Sequence, residues 1–252
     1  MDKTKQIPWV RMGAEGVAII VSILIAFAID AWWENRKERQ EEFEILNGLQ
    51  NEYAQHRALL ESRVTSQTTA LKQAGLFMQA YQSGQWAGDS ESLDIALFWM
   101  AAAPTTDLGS GVRDALISGG RLSLLSNRTL RYQLATWDVV IEEVRDDEVM
   151  ARDLLWDLVA PYFARHGIPI ARSFSTHPDV APAMNASGFP GRLRALADDP
   201  EAVSRLVNDP EFEVIVEYRF SYLAHMGTEY QKALVAVEEI LTNIDADLTR
   251  FQ

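Results

Sequence analysis

Gly13-Ala-Glu-Gly-Val-Ala-Ile-Ile-Val-Ser-Ile-Leu-Ile-Ala-Phe-Ala-Ile-Asp-Ala-Trp-Trp33 decides the reading of this chain, because it runs straight on into Glu34-Asn-Arg-Lys-Glu-Arg-Gln-Glu-Glu42. No Gly or Pro interrupts the sequence between Val17 and Asn47. At about 1.5 Å per residue, a helix over 13–33 covers a hydrocarbon core of roughly 30 Å. The spacing therefore predicts a transmembrane helix that continues into a charged stalk. Glu15 and Asp30 lie near the two ends, where a carboxylate reaches the headgroups or takes up a proton. Trp9 on one side and Trp32 and Trp33 on the other are placed as interface anchors, each burying its ring and keeping its N–H wet.

A cleaved signal peptide is the rival reading, since Ala26-Phe-Ala28 follows an apolar run as a cleavage site would. Glu15 at the head of the run, and a helical pattern that continues past the supposed cut, favour retention. Ala14, Ala18, Ser22, Ala26 and Asp30 recur every four residues and form a slowly drifting stripe on which a second helix can approach closely. The stripe reads as a packing face for another membrane protein or a second copy, with Asp30 able to hydrogen-bond across it. The plainer alternative is that small residues are common in membrane helices and that Asp30 reaches to the interface.

The formal net charge is −13. Lys3, Lys5 and Arg11 balance Asp2, Glu15 and Asp30 within residues 1–33, so the acidity belongs to the rest of the chain. Such a surface repels nucleic acid and anionic lipid, and nucleic-acid binding is not expected. Three basic residues precede the span, and Arg36, Lys37 and Arg39 follow it closely, so the positive-inside count is a tie. A short tail before a single anchor usually stays cytoplasmic, which places the bulk of the chain in the periplasm. The chain has no cysteine, so its fold is held without disulfides.

Beyond Trp33, Phe43, Leu46, Leu49, Tyr53, Leu60, Val64, Leu71, Ala74, Met78 and Tyr81 keep a spacing of three and four, giving one long amphipathic helix over about 34–82. Asp89-Ser90 caps an apolar helix stopped by Pro104, and Ser110 caps a short one over 111–118 that ends at Gly119-Gly120. Ser126 opens a second long helix, about 127–166, in which Leu130, Leu134, Trp137, Ile141, Val144, Leu155, Leu158, Val159, Tyr162 and Phe163 are read as the buried stripe and Pro161 as a kink. Its acidic run, Glu142 to Glu148, reads as a solvated face and only remotely as a cation site.

Residues 168–191 lack periodicity and read as an irregular loop, either a binding lid or a plain excursion. Leu193 to Leu196 reads as a short helix. Asp209-Pro210-Glu211 then caps a third long helix, about 210–250, whose stripe runs from Phe212 to Phe251. Three such stripes bury themselves by packing lengthwise, and no strand alternation competes. The expected fold class is all-α, with a tail over 1–12, a membrane helix over 13–33 and a helical bundle over 34–252.

Two patches carry a resemblance. Ala14-Glu15, Ile23-Leu-Ile-Ala26 and Ile29-Asp-Ala-Trp32 running into Glu34-Asn-Arg-Lys-Glu-Arg39 form one, and Ala115-Leu-Ile-Ser-Gly-Gly-Arg-Leu-Ser-Leu-Leu-Ser-Asn127 with Leu130-Arg131 forms the other. In these the chain resembles a family of uncharacterised bacterial single-pass membrane proteins defined only as a domain of unknown function. The chain has Ala14, Ser22 and Asp30 where that family has Gly, Gly and Asn. The resemblance implies an inner-membrane topology and a helical fold, and brings no activity with it.

Chemistry is sparsely represented. No His has a Glu three residues before it, and no His-Glu-x-x-His, Gly-x-Ser-x-Gly, P-loop or dinucleotide fingerprint occurs. His177 with Asp179 is the one His–carboxylate neighbourhood in the loop, with no nucleophile beside it. Trp86, Trp99, Trp137 and Trp156 are read as core. No catalytic residue, metal ligand or cofactor is assigned, and an enzyme is not expected. The reading is a membrane-anchored scaffold or accessory subunit, with the lipid bilayer and another membrane protein or a second copy as partners. Alternatives are a ligand-sensing helical module and, less favoured, an enzyme using the 168–191 loop.

Overall fold

A computed structural model describes residues 9–103, 105–109, 111–178, 180–188 and 194–251, the side chains of residues 9–14, Gly16 and Thr176 excepted. The described residues form helices and turns without a strand. Helix α1 (Trp9–Ser83) carries the apolar stretch and the stalk as one uninterrupted element of 75 residues. It begins within the expected tail, four residues before Gly13. Gly84, at φ +70°, ends it at the Ser83-Gly84 boundary.

The third long helix, α9 (Pro210–Leu248), is the spine of the bundle. It runs against α1 on one side and α4 (Arg128–Leu154) on the other. Leu46, Leu49, Tyr53 and Leu60 of α1, Leu130, Leu134, Trp137 and Ile141 of α4, and Tyr230, Val237 and Ile244 of α9 make one core. A second core, around Phe77, Leu97, Tyr162, Phe163 and Phe212, lies at the far end of the bundle from the apolar segment. Here α2 (Ser90–Ala101) and α5 (Ala160–His166) pack in. The Phe212 ring stacks on Tyr162 at 5.2 Å and meets Phe77 edge-on at 5.3 Å. Large aromatic faces fill this end, each supplying apolar area that no short helix buries alone.

Caps follow the expected chemistry at two starts. The Asp89 carboxylate accepts from the Ser92 N–H at 2.8 Å, and Asp209 accepts from the Glu211 N–H at 2.8 Å. Pro104 and Ser110 lie outside the described residues. At α3 (Gly111–Ser118), Glu52 of α1 accepts from the Val112 N–H at 2.6 Å. A side chain from another helix thus serves the start of α3.

Several expectations are corrected. The second long helix is capped by Asn127 rather than Ser126, its side chain accepting from the Thr129 and Leu130 N–H groups. Its far end passes through a π-turn, Leu155–Val159, before α5, so one extra residue is inserted. Pro161 has no N–H to give to a regular ladder, and it follows this π-turn directly, in the first turn of α5. The inserted residue rotates the stripe: Val159 is buried, while Trp156 is 64 % exposed and Leu158 faces outward. Trp156 is therefore not core, whereas Trp137 is buried and Trp86 and Trp99 are half-buried. Residues 168–191 are not wholly irregular, since α6 (Ala171–Thr176) and α7 (Ala181–Ala186) lie within them. Six-residue helices are too short to show a period. In 193–196 only Leu196 is helical among the described residues, opening a 3-10 turn, Leu196–Asp198, that is followed by α8 (Pro200–Leu206).

The acidic run is the largest departure. Glu142, Glu143, Arg145 and Asp146 are exposed, but Asp147 and Glu148 are buried against α9. Glu148 accepts from the Tyr230 hydroxyl at 2.8 Å and from the Thr106 N–H at 3.0 Å. Such hydrogen bonds are what a buried carboxylate requires.

Candidate membrane-helix packing face

Along α1 the residues from Val17 to Trp33 are exposed, and an apolar window near the start of the helix has none of its residues buried inside the fold. The segment is long and apolar enough to cross a membrane. Val17, Ile19, Ile20, Leu24, Ile25, Phe27 and Ile29 each leave about half or more of their surface open. A buried core helix passes the same test of length and hydropathy, but it would hide these side chains. Burying such a row in lipid or protein removes an apolar surface that water solvates poorly.

Ala18, Ser22, Ala26 and Asp30 lie on this open helix, and all four are exposed. The backbones of Trp9 and Ala14 belong to α1, but their side chains lie outside the described residues. The Ser22 hydroxyl donates to the Ala18 carbonyl at 2.7 Å, so it faces an apolar neighbour with its hydrogen bond already made. Successive stripe positions drift by about 40° at 3.6 residues per turn. By the same phase, Asp30 lies roughly 120° round α1 from Leu46, Leu49 and Tyr53, which face the bundle. A helix lying along Asp30 and Ala26 would approach without meeting the bundle.

Trp32 and Trp33 mark the change from apolar segment to stalk. Their ring centroids are 6.4 Å apart, they are 60 % and 63 % exposed, and the Arg36 guanidinium stands 5.9 Å from the Trp32 ring centre. One turn on, the end of the chain returns to α1. The last turn after α9, Thr249–Phe251, sets Phe251 against Phe43 at 5.4 Å and under the Arg39 guanidinium at 5.7 Å. Phe43 thus belongs to this junction, 40 % exposed, rather than to the core stripe.

The other buried polar groups hold the bundle together. Arg113 donates to the Leu134 carbonyl at 2.7 Å and pairs with Asp138 at 2.7 Å and Asp114 at 2.9 Å. Arg219 donates to the carbonyls of Trp99 and Ala102, and burial lowers its pKa to about 10, so it stays charged at neutral pH. His56 lies 2.8 Å from the Gly109 carbonyl through Nε2, which donates there, and stacks on Trp137. His177 stacks on Phe98 at 4.2 Å, while Asp179 lies outside the described residues. Among the described residues no three His, Asp or Glu side chains converge as metal ligands.

The sequence reading missed the meeting of Arg36 and Arg39 with Arg250 and Phe251. Nothing in local spacing relates residues so far apart in the chain. The one hint is that Phe251 continues the α9 stripe past Leu248, where it packs at the edge of the first core. Comparison with protein-family models, curated proteins and solved structures finds no match to this chain.

Proposed function

We propose that this chain is a membrane-anchored helical scaffold or accessory subunit, which binds a larger membrane protein assembly, or a second copy of itself, through its apolar helix and stalk. The observation that carries the reading is the unbroken α1, whose apolar third is bare while the rest is locked into a bundle. An anchor alone needs no such rigid joint. A helix that presents Ala18, Ser22, Ala26 and Asp30 at a fixed angle to a bundle suits a part that positions a neighbour. Asp30 makes no hydrogen bond or ion pair within the described residues, and a partner's donor would satisfy it in lipid. We place the chain in a bacterial inner membrane with the bundle on the periplasmic side.

The test is extraction from native membranes in a mild detergent, with crosslinking through a photoreactive residue at Ala26. A discrete adduct, to another membrane protein or to the chain itself, is expected. Recovery of the monomer alone, uncrosslinked, overturns the reading. Protease protection in spheroplasts checks the orientation, with cleavage in the bundle only after the outer membrane is opened.

A further inference from the structure

At the foot of the bundle, Trp32, Arg36, Arg39, Phe43, Arg250 and Phe251 enclose most of a groove of about 710 Å³. Its remaining lining is Asn35 and Gln40, so among the described residues no carboxylate side chain lines it. In a chain of net charge −13, three guanidiniums gathered from both ends of the sequence stand out against the composition. Neither Arg36 nor Arg39 has a carboxylate partner among the described residues, and both are instead set over aromatic rings. Arg250 is held from behind, its Nη1 2.9 Å from the buried Asp247 carboxylate, with the guanidinium still largely open.

We propose that this groove seats the phosphate of an anionic phospholipid headgroup, with Arg36, Arg39 and Arg250 as the binding residues; this rests on the membrane-anchor reading above. Height agrees with the assignment. A hydrocarbon core of about 30 Å within a bilayer of about 40–45 Å leaves a headgroup layer of roughly 5–8 Å on each side. If the core ends near Trp33, the Arg36 and Arg39 backbones rise about 4.5 and 9 Å beyond it, and their long side chains reach back into that layer.

Chemistry agrees as well. A guanidinium fork matches a phosphate in two parallel hydrogen bonds, and the Trp32, Phe43 and Phe251 rings offer an apolar wall to the glycerol and first methylenes. A zwitterionic lipid brings an ammonium group beside its phosphate, and among its described lining the groove holds three cations and no acidic side chain to receive it. The occupant is therefore a lipid whose headgroup carries net negative charge.

The experiment uses the full chain, purified in detergent with a mixture of zwitterionic and anionic phospholipids and released in native mass spectrometry. Wild type is expected to retain the anionic lipid in excess over the bulk mixture. R36Q is expected to lower that retention about fivefold, and R36Q/R39Q/R250Q to abolish the preference. All three side chains are exposed, so the circular dichroism of both variants should match wild type; R36Q should also keep the wild-type melting temperature, whereas R250Q removes the cation beside the buried Asp247 carboxylate and should lower that of the triple variant. A second arm adds inorganic phosphate at millimolar concentration. Retained lipid in its presence supports the headgroup assignment, whereas displacement of the lipid by phosphate overturns it in favour of a soluble anion. Equal retention by wild type and the triple variant also overturns it. An alkaline wash of native membranes separates this from the anchor reading: a chain that stays in the membrane but shows no headgroup preference overturns the groove alone, and a chain that washes free overturns both.

Discussion

Glu148 is 6 % exposed and serves two donors from different parts of the chain, the Tyr230 hydroxyl and the Thr106 N–H. Glu148→Ala would strand both, at a cost of about 2–5 kcal/mol measured as a shift in denaturant midpoint. The neighbouring Asp147 behaves differently. Burial pushes its carboxyl above the usual 3.8, against the pull of His225, whose Nε2 is 3.5 Å away. The folded state then binds its proton more tightly than the unfolded chain, so this residue lowers stability as pH rises from 3.8 through its raised value, and the deficit persists at neutral pH. Asp147→Asn should therefore raise the unfolding midpoint at neutral pH, with the gain shrinking as pH falls toward 3.8. Asp209 has the opposite sign. Burial pulls it up, but the Tyr162 hydroxyl, the Glu211 N–H and His166 outweigh that and hold it below 3.8. Its stabilisation is complete above 3.8 and is lost as pH falls through the lowered value. Of these three carboxylates only Asp209 was legible in the sequence, because a cap is set by its neighbours one to three positions on. The burial of Asp147 and Glu148 depends on α9, far along the chain, and a run of acids says nothing of which members turn inward.

Elements were read more successfully than residues, since a stripe repeated over many turns outvotes any single position. The α9 stripe from Phe212 to Leu248 is buried throughout. The stripe of the second long helix is buried from Leu130 to Phe163 except at Leu158, which lies in the π-turn together with the exposed Trp156. A period of 3.6 cannot announce its own interruption. Within α1, a methyl group at Gly75 would meet nothing within 4 Å. Gly75→Ala is expected to stabilise by about 0.5–1 kcal/mol through the entropy of the unfolded chain. Gly120→Ala is expected to cost about 1–2 kcal/mol, because its φ of +64° is closed to a side chain. Thermal unfolding of the two variants would show shifts of opposite sign. On the apolar segment, Ala26→Ile should cut recovery of the crosslinked partner several-fold, while Phe27→Leu, on another face, should leave it unchanged. The stripe itself was legible from spacing; that the bundle leaves it open came only from the packing, in which the core begins at Leu46 and buries none of residues 17–33.

On the scale of the whole molecule, α1 contains no proline and no break between the apolar segment and the second core at its far end. From Glu34 to Ser83 the helix extends about 75 Å, so with the apolar segment anchored as proposed it would act as a lever with its fulcrum in the bilayer. Tilting the buried end by about 20°, an ordinary angle for a single span, would sweep the distal tip sideways by roughly 25 Å. Bilayer thickness would then decide where Trp86 and its surroundings hover, since a thinner membrane demands more tilt. Spin labels at Ala18 and Gln82 should report one narrow distance, and Asn35→Pro should broaden it by introducing a hinge. With that hinge in place the tip would drift free of the lipid's thickness, and any neighbour reached from a set altitude would be met only by chance.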